Sequence, residues 1–91
     1  MDLKVGTEIW YVYWVSPGVV VVRLYFVETT VLNGRTLYRA SPLRGEYPFW
    51  ICTPNKTFLC REDALNYALS LNLPVTIRTP WPITYELTPA S

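Results

Sequence analysis

Cys52 and Cys60 are the first side chains to test for chemistry in this 91-residue sequence, being its only thiols and lying eight positions apart. A structural zinc needs a full shell of thiolate and imidazole ligands, and with no histidine the pair cannot complete one. A nucleophilic cysteine needs a base that the chain cannot supply as histidine. A disulfide across the short loop is geometrically possible, but the chain reads as unexported, so two reduced, partly buried thiols are expected. The carboxylates Glu8, Glu28, Glu46, Glu62 and Glu86 are scattered, and Glu62-Asp63 reads as a solvated helix start. There is no glycine-rich phosphate loop and no serine elbow. The expectation is a protein without catalytic residues, metal or cofactor.

Recognition chemistry is better represented. Tyrosine, tryptophan and arginine are the residue types enriched at interface hot spots, because a ring can be covered while its polar tip stays wet. Tyr11, Tyr13, Arg23, Tyr25 and Tyr38 can share one surface if the strands carrying them pair suitably. The loop Arg44-Gly45-Glu46-Tyr47-Pro48 and the proline-flanked Trp81 add Arg44, Tyr47 and Trp81 as contact points. The surplus of large apolar side chains favours a protein partner or self-association, with a homodimer plausible. An aromatic and arginine face is also a recipe for stacking single-stranded bases against phosphate contacts, so a nucleic-acid-binding small barrel is the alternative. Charge weighs against it: eight basic and seven acidic residues give +1, with the basic ones dispersed.

These residues need a scaffold, and length allows one domain, expected over 1–87 with a frayed 88–91 and a single core. Hydrophobic content of 51% against 16% charged excludes a disordered chain. The longest uncharged apolar run, Ile9 to Val15, falls far short of the ~20 residues of a spanning helix, so no membrane and a cytoplasmic location are expected.

Ile9-Trp10-Tyr11-Val12-Tyr13-Trp14-Val15 carries four aromatics in seven residues and reads as a covered strand, roughly Glu8 to Val15. Gly6 permits a bend before it. Ser16-Pro17-Gly18 turns the chain into a second strand from Val19 to about Thr30, long enough to bend or bulge and to serve two parts of a curled sheet. Asn33-Gly34 predicts a two-residue type I′ turn, placing Thr30 opposite Leu37, Thr29 opposite Tyr38 and Glu28 opposite Arg39. Phe49 to Thr53 and Thr57 to Leu59 read as short strands around Pro54-Asn55-Lys56. Ala64, Leu65, Ala68 and Leu69 recur at helical spacing, predicting one helix over about 61–71, with Cys60 a poor cap and Asn72 at its end. Val75 to Arg78 and Ile83 to Leu87 read as further strands.

The first hairpin admits two pairings, and a one-residue slip exchanges its faces. A three-residue loop sets Trp10, Val12 and Trp14 beside Val20, Val22, Leu24 and Phe26, with Tyr11 opposite Arg23 and the tyrosines outward. A turn centred on Pro17-Gly18 instead sets Trp10 and Trp14 beside Arg23 and Tyr25. The first separates apolar from amphipathic side chains and is preferred.

Lys4-Val5-Gly6 leading into an aromatic strand, with Phe58-Leu59-Cys60-Arg61-Glu62-Asp63-Ala64-Leu65 opening a helix, resembles the small SH3-like barrel proteins of phages and mobile elements. Cys60 stands where that pattern has a cap residue. The resemblance covers two short patches and implies an adaptor, inhibitor or nucleic-acid-associated accessory protein, in the host cytoplasm if phage-encoded. The expected architecture is α+β and β-rich: a strongly bent antiparallel sheet or SH3-like partial barrel of about five to six strands, with one helix in the C-terminal half. The expected function is a non-catalytic protein-interaction module.

Overall fold

The computed structural model describes residues 3–42, 49–80 and 83–88, the last six together with 79 and 80 through their backbone. The chain is α+β and β-rich. Its elements are β1 (Glu8–Val15), β2 (Gly18–Leu32), β3 (Arg35–Ser41), β4 (Trp50–Cys52), β5 (Thr57–Phe58), α1 (Arg61–Leu69), β6 (Val75–Pro80) and β7 (Ile83–Thr88). A single 3-10 turn, Pro54–Lys56, joins β4 to β5.

The strands form one sheet in the order β4-β3-β2-β1-β5, with β6 also on β2 and β7 beyond β6. Antiparallel pairing prevails, but β6 runs parallel to β2 from Val19↔Val75 to Val22↔Arg78. This one parallel pair departs from the expected antiparallel sheet. The helix supplies the reversal that brings β6 back alongside β2 in the same direction, a connection too long for a hairpin.

β2 organises the molecule. Its first half pairs with β1 on one edge and β6 on the other, and its second half pairs with β3. The expected irregularity lies between Phe26 and Glu28, where the β2–β3 register shifts. The sheet bends strongly: in a flat sheet β4 and β1, three places apart, would be separated by about 14 Å. Instead, the Trp50 and Tyr13 ring centroids stand 5.2 Å apart, edge to face.

The Asn33-Gly34 turn forms as predicted, with φ of 52° and 77°, and the pairs Thr30↔Leu37, Thr29↔Tyr38 and Glu28↔Arg39 are all present. Arg39 Nη1 donates to Glu28 Oε1 at 2.9 Å. The first hairpin corrects the preferred reading. Only Ser16 and Pro17, joined by a cis peptide, make its turn, and Trp10 lies opposite Arg23 while Tyr11 lies opposite Val22. The faces are therefore those of the alternative pairing. The physical reason is that both faces of these strands are buried, so alternation could not separate inside from outside.

Two cores result, where one was expected. The first holds Trp10, Val12, Val19, Val21, Val75 and Ile77 beneath Ala64 and Ala68 of α1, with Phe58, Leu65, Tyr67 and Leu69 packed around them. The second lies on the opposite face and holds Ile9, Val22, Leu24, Phe26, Tyr38, Ala40 and Cys52. Each valine in Val19-Val20-Val21-Val22 contributes to one or the other. Trp14, expected inward with Trp10, is instead 56% exposed.

α1 ends two residues earlier than expected. Asn72, at φ 57°, turns the chain while its N–H donates to the Leu69 carbonyl. Cys60 makes no side-chain cap bond. Alanines at the contact let the helix approach the sheet closely, with both fully buried.

Gly18 is required by packing. The Val19 N–H donates to the Pro74 carbonyl at 2.9 Å, and a Cβ on Gly18 would run into that same carbonyl. Gly18→Ala is expected to separate β2 from β6 and cost about 1–3 kcal/mol, the range for overpacking. A urea midpoint within error of wild type would contradict this close approach.

Candidate functional site

The register distributes the tyrosines and arginine that sequence placed on one surface. Tyr11 and Tyr13 stack at 6.0 Å between centroids on the face of the second core. Tyr13 meets Trp50, and Tyr38 packs edge to face on Phe26 at 5.7 Å. Tyr38 is buried, and Tyr11 and Tyr13 are half-buried. Arg23 and Tyr25 occupy the other face, with the guanidinium 5.8 Å from the Tyr25 ring centroid and Nε 3.8 Å from Glu8 Oε1. The structure thus joins Tyr11, Tyr13 and Tyr38 and separates them from Arg23 and Tyr25, so the five form no common face. Arg44, Tyr47 and Trp81 lie outside the described residues.

The thiols are both free. Cys52 is fully buried in the second core, and desolvation pushes its thiol from an ordinary 9.0 up to about 12. A thiol held neutral in this way is a packing residue. Among the described residues, no three His, Cys, Asp or Glu side chains gather to hold a metal ion. No helix among them is long and apolar enough to cross a membrane.

The structure offers a different surface, one that follows from how β1 begins. Phe26 is the last residue of β2 held from the β1 side: its N–H donates to the Thr7 carbonyl, and its carbonyl accepts from Gly6 N–H, both at 2.8 Å. The chain then turns away through Val5-Gly6, with Gly6 at φ 88° and Thr7 N–H donating to the Lys4 carbonyl. Beyond Phe26, residues Glu28 to Leu32 continue the ladder with β3, while no described strand covers their other edge.

Hairpin geometry fixes which groups face outward. In a two-residue hairpin the pair flanking the turn exchanges both hydrogen bonds, and alternate pairs follow. Leu32, Thr30 and Glu28 are therefore bonded to β3, and Thr29 and Val31 turn their N–H and C=O groups to the open edge. Side chains alternate as well. Val31, 68% exposed, and Leu32, 56% exposed, offer apolar surface on opposite faces of the hairpin.

Sequence reading located this hairpin and its register but not its open edge. The signal was the β-branched run Thr29-Thr30-Val31 beside the turn, combined with Gly6 where β1 would otherwise have continued. Comparison with protein-family models, curated proteins and solved structures finds no match to this chain.

Proposed function

We propose that this chain is a non-catalytic protein-interaction module that takes an extended segment of a partner protein as an additional strand on the open edge of β2. The observation that carries this reading is the outward Thr29 and Val31 backbone, exposed beside the apolar side chains of Val31 and Leu32. An exposed strand edge is a template for pairing, and in strand addition main-chain bonds provide affinity while alternate side chains provide specificity. The occupant should carry apolar residues at successive positions, because Val31 and Leu32 receive them on both faces. A second copy fits less well. An antiparallel self-pair centred on Thr30 would set Leu32 against the partner's Glu28, and so short a ribbon falls below the roughly 1,200 Å² of a stable interface. An adaptor or inhibitor role of this kind is also what the resemblance to small SH3-like barrels implies.

The test uses extended peptides selected against the full chain from a random display library. Bound peptide is expected to protect the Thr29 and Val31 amides from hydrogen exchange. The double variant Thr29→Pro, Val31→Pro removes the outward N–H groups while leaving those bonded to β3, and is expected to weaken binding at least about tenfold. Val31→Lys, which leaves the backbone intact, should weaken it in the same direction. Peptides that bind the proline variant equally, or protect other amides, overturn the reading. Concentration-dependent dimers that protect these same amides would overturn it in favour of self-pairing.

A further inference from the structure

A cleft of about 430 Å³ opens between the start of β3 and the 3-10 turn, lined by Arg35, Thr36, Leu37 and Thr53 to Lys56. Its volume falls within the range of small-molecule sites, roughly 300–1,000 Å³. Among the described residues that line it, the ionisable ones, Arg35 and Lys56, are both cations. Neither takes part in the ion pairs Arg23–Glu8 and Arg39–Glu28. Two cations in one concavity raise the local concentration of anions.

The polar groups point the same way. Thr53 lines the cleft, while its Oγ1 is buried too completely for a ligand there to reach. Asn55 and Thr36 add further donors. The turn that presents them is fixed by Pro54, by Lys56 N–H donating to the Thr53 carbonyl at 3.0 Å, and by Thr57 Oγ1 donating to that same carbonyl at 2.9 Å. Leu37 and Pro54 supply apolar wall beside the charged groups.

We infer that this cleft binds a small organic phosphate, its phosphoryl group held between Arg35 and Lys56 and its carbon skeleton against Leu37 and Pro54. Arginine matches phosphate with a planar fork and lysine as a point charge, so the pair suits a dianionic monoester. The site involves neither Thr29 nor Val31 and stands independently of strand addition at the β2 edge.

The experiment titrates the full chain, followed by amide resonances, with adenosine monophosphate, glucose 6-phosphate and inorganic phosphate. Saturable shifts confined to Thr36, Thr53, Asn55 and Lys56 are expected with both organic phosphates, at a Kd on the order of 1 mM or tighter. Arg35→Gln with Lys56→Gln should weaken binding at least about tenfold. The charge reversal Arg35→Glu with Lys56→Glu should abolish it. Because these side chains lie outside both cores, the backbone spectra of the variants should otherwise match wild type. The inference is overturned by absence of saturable shifts, by shifts that persist in the double variants, or by inorganic phosphate binding as tightly as the organic esters. Binding confined to single-stranded oligonucleotides would likewise overturn it, in favour of a nucleic-acid surface.

Discussion

Trp10→Ala is expected to destabilise the domain by about 3–5 kcal/mol, the range for removing a buried tryptophan. Such a ring buries roughly 150–250 Å², and Trp10 is only 7% exposed. It sits at the centre of the first core, paired with Phe58 of β5 on one side and Arg23 of β2 on the other. Its removal undermines two strand pairs and the seat of α1 together. Domains of this size hold only about 5–15 kcal/mol in all, so the variant should melt at least about 12 °C lower. Trp14→Ala provides the contrast. The side chain is more than half exposed, and the loss should stay within about 1 kcal/mol. Equal losses at the two positions, measured by urea unfolding, would contradict the burial of Trp10 and the exposure of Trp14.

The second large effect is a fall in stability at high pH, traceable to Cys52. Its folded thiol ionises only near 12, against an ordinary 9.0, because burial disfavours the thiolate. Below pH 9 both states keep the proton and the group contributes no pH dependence. Above it the unfolded chain releases a proton that the folded chain retains, so folding stability declines as pH rises. The slope is about 1.4 kcal/mol per pH unit, reaching a loss on the order of 4 kcal/mol by pH 12. Cys52→Ala should be less stable at neutral pH because it leaves a cavity. Its profile should lack this component, and the wild-type minus variant difference therefore isolates the contribution of Cys52. A difference that stays constant between pH 9 and 12 would show the thiol to be solvated.

Local chemistry made the second hairpin readable from sequence. Asn33-Gly34 tolerates positive φ at both positions, which fixed the partners of Thr29, Thr30 and Glu28 without reference to the rest of the fold. The length of β2 announced its bulge, and the spacing of Ala64, Leu65, Ala68 and Leu69 announced α1. The first hairpin was harder because its strands are apolar on both faces. Val20 and Val22 match Val19 and Val21 in size and polarity, so either set could face the helix. That ambiguity carried into the proposed tyrosine surface, which depended on the register chosen. The parallel seat of β6 was equally hidden: Val75-Thr76-Ile77 states that a strand exists, not which edge receives it. The open edge of β2 and the Arg35–Lys56 cleft each arise between segments distant in sequence, where no local pattern records them.

The parallel seat also constrains when the protein can finish folding. Val19 meets Val75, a separation of 75 − 19 = 56 residues, so the first core stays open until most of the chain has been synthesised. Contacts this distant pay their loop entropy before any reward and slow folding. On the ribosome the second hairpin and the second core can assemble early, while the Val19–Val22 edge waits for β6. A nascent chain halted at the end of α1 should therefore hold protease-resistant β2–β3 structure beside a labile first core, and gain full resistance only once residue 78 has emerged.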